Sequence, residues 1–92
     1  MERFQKLNSN WKIIWTKEVE KYYKKYPDPE RFKRIIEILK TNPYEGANIK
    51  RLVGELLGLY RYRFSNLRLI YKIDETKKQI ILVYFGTRGD IY

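Results

Sequence analysis

Basic residues at alternate positions are the side chains best placed for chemistry in this chain of 92 residues. The run LYRYRF puts Arg61 and Arg63 on one side of a predicted strand, and LRLIYKI puts Arg68 and Lys72 on one side of the next. A guanidinium group stays protonated at ordinary pH and binds two phosphate oxygens at once. The pattern therefore predicts a surface that binds anions, above all phosphate.

The link between these two strands predicts how the arginines face one another. A two-residue turn at Ser65-Asn66 would fix the register of the hairpin. The predicted cross-strand pairs are Phe64 with Leu67, Arg63 with Arg68, and Arg61 with Ile70. Like charges directly opposite each other destabilise a hairpin unless an anion binds there. The same residues also fit a solvated surface whose arginines extend apart or pair with Glu45 or Glu55.

The composition limits both the partners and the chemistry. Twenty Lys and Arg against eleven Asp and Glu give a net charge of +9, which attracts polyanions and favours nucleic acid over an anionic membrane or an acidic protein. The chain has no cysteine and no histidine, so the usual zinc sites, thiol nucleophiles and imidazole bases are excluded. No metal site or cofactor is expected.

Aromatic residues near the arginines suggest which nucleic acid is bound. Tyr60, Tyr62 and Tyr92 could stack on unpaired bases, which favours single-stranded RNA over a duplex groove. Residues just before the hairpin add further positive charge. The expected RNA-binding residues are Lys50, Arg51, Arg63 and Lys72.

The N-terminal half predicts a strand and two helices. Residues 11–16 are β-branched and aromatic, as is typical of a strand, and Thr16 is placed to cap the helix that follows. Apolar residues then recur at helical spacing, first at Val19, Tyr22, Tyr23 and Tyr26 and later at Phe32, Ile35, Ile36 and Leu39. Core packing explains the tyrosine stripe better than base stacking does. Asp28 and Pro29 are placed to start the second helix, which should end near Lys40.

The C-terminal half predicts three strands. The two alternating runs form the hairpin, and the continuously apolar QIILVYF is typical of an interior strand. We interpret KRLVGELLG, before the hairpin, as a turn and an approach to a strand. The predicted class is α+β in the order β-α-α-β-β-β, with a helical hairpin packed on a small, mostly antiparallel, twisted sheet. Residues 1–92 should form one domain with residues 1–10 as an N-terminal extension, and the absence of a long apolar run predicts a cytoplasmic protein.

The run LGLYRYRFSNLRLIYKID, an apolar strand and GTRGDIY together resemble the RelE/ParE superfamily of toxins from toxin–antitoxin systems, particularly archaeal RelE-type members. The resemblance covers about residues 11–92. It implies two N-terminal helices packed on a curved, mostly antiparallel sheet. It also implies cleavage of mRNA in the ribosomal A site without a metal, and inactivation by a cognate antitoxin in a hetero-oligomer.

The resemblance also implies roles for individual residues. By motif, the catalytic residues would be Arg61, Arg68, Arg88 and Tyr92, with Arg63 beside them. The arginines would stabilise negative charge on the phosphoryl oxygens as the ribose 2′-OH attacks. Lysine often occupies the positions of Arg61 and Arg63 in this superfamily, and arginine is a poor general base. Tyr92, Glu55 and a polarised water remain candidates for the base.

Two other functions fit the same residues. ParE-type members of the superfamily inhibit DNA gyrase by binding it and lack the nuclease residues. The combined presence of Arg68, Arg88 and Tyr92 favours the nuclease over this alternative. A third interpretation is an RNA-binding module without turnover.

Overall fold

The computed structural model of the protein describes residues 11–87. In this range the chain forms five β-strands and two α-helices in an α+β arrangement. The bounds are β1 Lys12–Trp15, α1 Lys17–Lys25, α2 Pro29–Thr41, β2 Ile49–Arg51, β3 Leu59–Phe64, β4 Leu67–Asp74 and β5 Gln79–Gly86, with a 3₁₀ helix at Gly54–Leu56. The predicted class and element order are confirmed, and β2 is a short strand in addition to them.

The strands form one sheet in the order β1-β5-β4-β3-β2. Strands β1 and β5 pair in parallel, and the other three pairings are antiparallel. Strand β5 therefore lies inside the sheet, which explains its continuously apolar sequence. In residues 11–87, neither helix is long and apolar enough to cross a membrane.

Helix α2 begins where the sequence predicts. The Asp28 side chain accepts a hydrogen bond from the backbone N–H of Arg31 at 3.2 Å, and Pro29 occupies the first turn, where no N–H is needed. Phe32, Ile35 and Leu39 are buried against the sheet. The predicted cap and apolar face are both confirmed.

Helix α1 starts after Thr16, but not through the expected capping contact. The Thr16 hydroxyl makes no cap hydrogen bond and instead donates to the backbone oxygen of Leu82 at 2.8 Å. The start of the helix lies beside β5 in the fold, and this bond holds the two elements together. The tyrosine stripe of α1 packs against the core around Val19, as expected for burial.

The helices cover one face of the sheet, where the main hydrophobic core lies. A smaller cluster of Leu52, Ile70 and Tyr84 lies on the opposite face, beneath the segment that contains the 3₁₀ helix. That segment covers only one end of the face. The other end carries charged residues.

A β-bulge in β5 decides which of its last residues lie on this face. Ile70 pairs with Tyr84, whereas Tyr71 pairs with Leu82, so Val83 is left without a cross-strand partner. The extra residue moves Tyr84 and Gly86 to the face opposite the helices. Leu82 remains in the main core.

Candidate functional site

The face opposite the helices carries the arginines in two cross-strand rows. The first row contains Lys50, Arg61, Ile70 and Tyr84, and the second contains Arg63, Arg68 and Gly86. All three hairpin pairs predicted from the sequence are confirmed, including Arg63 opposite Arg68. We call Lys50, Arg61, Arg63 and Arg68 the arginine face. Lys72 lies on the same side of the sheet, opposite Leu59 and two residues along β4 from Ile70.

The three arginines of this face have no carboxylate partners among the described residues. The ion pairs found there join Asp28 to Arg31, Glu30 to Lys33 and Glu75 to Lys78. The alternative pairing with Glu45 or Glu55 is not formed. The positive charges of the face are therefore not neutralised within residues 11–87.

Arg61 is partly enclosed by its neighbours. It is half-buried, and its Nε is shielded from solvent with no hydrogen-bond partner in the described range. A buried donor without a partner lowers stability by about 1–3 kcal/mol. The shielding also restrains the Arg61 side chain, whose terminal guanidinium nitrogens are the donors left for an anionic ligand.

A groove of about 500 Å³ opens beside the arginine face, where the start of β2 and the residues before it lie along the end of β3. Its walls include Lys50, Arg61 and Arg63, together with Asn48 and Ser65. Small-molecule sites have volumes of about 300–1,000 Å³. This edge groove therefore has room for a nucleotide beside three cationic side chains.

Sequence reasoning missed Tyr84 as a residue of this surface. A Cβ added to Gly86 would lie 2.6 Å from the Tyr84 hydroxyl oxygen, so the phenol packs directly against Gly86, the partner of Arg68. Tyr84 lies within a continuously apolar run that shows no alternation. Only the bulge reveals which side of the sheet it faces.

Not all predicted site residues come together. Arg51 pairs with Tyr60, so strand alternation places it on the opposite side of the sheet from Lys50 and Arg61. Glu55, a candidate base, is exposed in the 3₁₀ helix. Arg88 and Tyr92 lie outside the described residues.

Tyr71 and Tyr44 have raised pKa values and lie away from the arginine face. Burial raises the pKa of Tyr71, whose hydroxyl donates to the backbone oxygen of Pro43 at 2.7 Å. Burial and a hydrogen bond to Glu75 raise the pKa of Tyr44 to about 12. Both phenols stay protonated near neutral pH and hold the loop before β2 against the sheet. No cluster of three metal-ligating side chains occurs in residues 11–87.

Comparison with known proteins gives the family. The model of the ParE toxin of the type II toxin–antitoxin system parDE matches residues 13–92. The chain therefore belongs to this family of toxins, within the RelE/ParE superfamily. A search of curated protein sequences found no match.

Solved structures of the same superfamily share the fold. The chain is 26% identical to a chain of the archaeal RelE–RelB complex from Pyrococcus horikoshii, with a TM-score of 0.73 over 87% of this chain and 97% of that one. A chain of the RelBE2 complex from Mycobacterium tuberculosis is 23% identical, with a TM-score of 0.68 over 85% and 98%. A free RelE variant from E. coli is 15% identical, with a TM-score of 0.70 over 87% and 85%. The last two show the fold alone.

Proposed function

We propose that this toxin is a ribosome-dependent mRNA endoribonuclease that inhibits translation without a metal ion. The observation that carries the proposal is the uncompensated pair of Arg63 and Arg68, with the half-buried Arg61 in the neighbouring row. Guanidinium groups in this arrangement are suited to an RNA phosphate. The similarity to an archaeal RelE chain supports the same assignment.

The proposed reaction is attack by a ribose 2′-OH on the adjacent phosphorus. The new bond joins the 2′-oxygen to phosphorus, the bond from phosphorus to the 5′-oxygen breaks, and the proton lost by the first oxygen is balanced by one gained by the second. Arg61 and Arg68 stabilise the extra negative charge on the phosphoryl oxygens, because the pairing of β3 with β4 places them in neighbouring rows on one face of the sheet. Arg88 is assigned the same role and Tyr92 a role in proton transfer or stacking, both by resemblance.

The remaining basic residues bind the RNA outside the cut linkage. Lys50 and Arg63 line the edge groove, and Lys72 lies further along the same side of the sheet. Each can contribute electrostatic attraction to a flanking phosphate. Arg51 has no such role in this proposal, because β2 directs it to the opposite side.

The proposed partners are the ribosome, its mRNA and a cognate antitoxin. The similar archaeal RelE chain was solved in a complex with RelB, which supports a hetero-oligomer here. A net charge of +9 favours an antitoxin with an acidic or amphipathic segment that covers the basic face. The proposed site of action is the cytoplasm, where ribosomes translate.

The test is to map mRNA breaks after brief expression and to assay gyrase supercoiling in the same cells. Cuts that follow the codon frame support the nuclease. We expect Arg68→Ala and Arg88→Ala each to relieve growth inhibition with circular dichroism unchanged. Retention of full toxicity by the double variant would reject the nuclease.

A second candidate is inhibition of DNA gyrase, which the ParE description of the matching family favours. In that case the arginine face would bind a protein rather than RNA. Intact messages together with blocked supercoiling would establish this function and exclude the first.

A further inference from the structure

A second basic groove lies on the helix side of the hairpin tip. It has a volume of about 620 Å³ and runs between α2 and the end of β3. Its walls include Arg31, Arg34 and Ile38 from the helix, and Asn48 and Phe64 from the sheet side. None of these residues has a role in the reaction proposed above. We call this the helix groove.

The helix groove continues into the edge groove. Asn48, Phe64 and Ser65 form part of the wall of both. Asn48 is fixed at this junction, because its side-chain amide donates to the Tyr62 hydroxyl at 3.3 Å and its backbone oxygen accepts from the N–H of Arg63 at 3.0 Å. One extended ligand can therefore pass from the arginine face around the hairpin tip to α2.

The two arginines of the helix groove are available to an anion. The Arg31 guanidinium lies 5.6 Å from the centre of the Phe64 ring, a cation–π contact that restrains it at the groove wall. Its contact with Asp28 is 4.0 Å long and solvent-exposed, and such pairs are weak. Arg34 is exposed and forms no ion pair with another residue in the range 11–87.

The chemistry of the groove favours single-stranded RNA over a peptide. Guanidinium groups sit beside the Phe64 ring and the Asn48 amide, and unpaired nucleotides are bound by phosphate contacts, stacking and amide hydrogen bonds. The walls shared with the edge groove place this surface on the path of a strand whose linkage lies at the arginine face. An acidic helical peptide would pack on the apolar Ile38. It would not need to extend from the helix groove to the arginine face.

We propose that the helix groove is a second RNA subsite, in which Arg31 and Arg34 bind phosphates of nucleotides that flank the cut linkage. The inference rests on the proposed function, since it assumes that the arginine face binds RNA. The subsite makes affinity depend on the length of the strand. A short oligonucleotide reaches only the arginine face, whereas a longer one occupies both grooves.

Fluorescence anisotropy with 2′-O-methylated RNA tests the subsite, because this RNA lacks the nucleophile and is not cut. A trinucleotide and a dodecanucleotide are compared on the full chain. The test variant is R31Q/R34Q, and the matched control is K24Q/K33Q, which removes the same charge from exposed helix positions outside the groove. R61Q/R68Q reports on the arginine face.

We expect R31Q/R34Q to weaken binding of the dodecanucleotide about three- to tenfold and to leave the trinucleotide unchanged. The slope of log affinity against log salt should fall by about 1.4 for the longer RNA, at about 0.7 for each phosphate that the variant no longer neutralises. The control variant should leave the slope near that of the unaltered protein.

Two outcomes separate the two proposals. If R31Q/R34Q and the control behave alike on the longer RNA while R61Q/R68Q weakens both lengths, the helix groove is not an RNA subsite and the arginine face remains one. If R61Q/R68Q binds both lengths like the unaltered protein, the proposed function itself fails.

Discussion

Arg63 and Arg68 face each other across β3 and β4, and neither forms an ion pair with a carboxylate of residues 11–87. Cross-strand pairs of like charge are destabilising when nothing anionic lies between them. Salt weakens such repulsion at an exposed position, because its range falls to about 10 Å at 0.1 M. The arrangement therefore lowers stability, a cost that the proposed binding of an anion would offset.

Replacing Arg63 with glutamine should make the protein more stable and weaken its binding of RNA. Removing the repulsion should raise the free energy of unfolding by up to about 0.5 kcal/mol at low salt, with the gain disappearing at high salt. Urea unfolding at low salt and at high salt measures this change in the free energy of unfolding. The control is Arg51→Gln, an exposed arginine that pairs with Tyr60 and faces no like charge. An equal gain in both variants would show that net charge, not the Arg63 and Arg68 pair, is responsible.

Gly86 and Tyr84 pack closely against each other at the candidate site. A methyl group at residue 86 would lie 2.6 Å from the Tyr84 hydroxyl oxygen and 3.0 Å from the ring carbon that bears it. Gly86→Ala should therefore lower the free energy of unfolding by about 1–3 kcal/mol, as for other overpacked buried sites. Adding Tyr84→Phe removes the closest atom and should recover part of the loss in a double-mutant cycle. Strictly additive effects would contradict the packing described here.

Tyr71 should make stability depend on alkaline pH. Burial raises the pKa of its phenol in the folded state, so the folded protein holds the proton more tightly than the unfolded chain does. This contribution is fully present below the ordinary pKa of about 10 and is lost as the pH rises towards the folded value, at about 1.4 kcal/mol per pH unit.

Tyr71→Phe should flatten this alkaline decline. It should also lower stability at neutral pH by about 1–2 kcal/mol, because the hydroxyl no longer donates to the Pro43 carbonyl oxygen. Urea unfolding from neutral pH to about pH 11.5 separates the two effects. Tyr44→Phe is the comparison: its pKa of about 12 is raised too, but its exposed side chain should give a weaker effect. An unchanged slope in Tyr71→Phe would contradict the assignment.

The sequence predicts the hairpin register because two independent signals agree. Alternation in β3 and β4 sets which residues share a side, and a two-residue link leaves one way to pair them. The caps and apolar stripes of α2 are predicted for a similar reason, since helical spacing, Asp28 and Pro29 all indicate the same start.

Features that depend on distant strands were not predictable in this way. Strand β2 has three residues, too few to show alternation, so the side on which Arg51 lies is known only from its pairing with β3. The bulge at Val83 falls inside a run that is apolar throughout, and the position of Tyr84 follows from it. The helix groove joins Arg31 to Phe64, residues far apart in sequence that meet only in the folded chain.

The turn at Ser65-Asn66 provides a last prediction about the site's framework. Ser65 has a φ of 55°, in the left-handed region that disfavours residues with a side chain, whereas Asn66 is not among the residues with positive φ. Glycine at 65 relieves a strain of about 1–2 kcal/mol and loses about 0.5–1 kcal/mol through the entropy of the unfolded chain. Ser65→Gly should therefore stabilise the protein by about 0.5 kcal/mol, and Asn66→Gly should destabilise it by a similar amount.

Both variants are measured by urea unfolding and by binding of the trinucleotide. Ser65 contributes to the walls of both grooves through an exposed position, and glycine there preserves the pairing of Arg63 with Arg68. RNA affinity should therefore stay within about twofold, since no charge is removed. Destabilisation by Ser65→Gly together with stabilisation by Asn66→Gly would mean that the turn has the opposite arrangement of backbone angles.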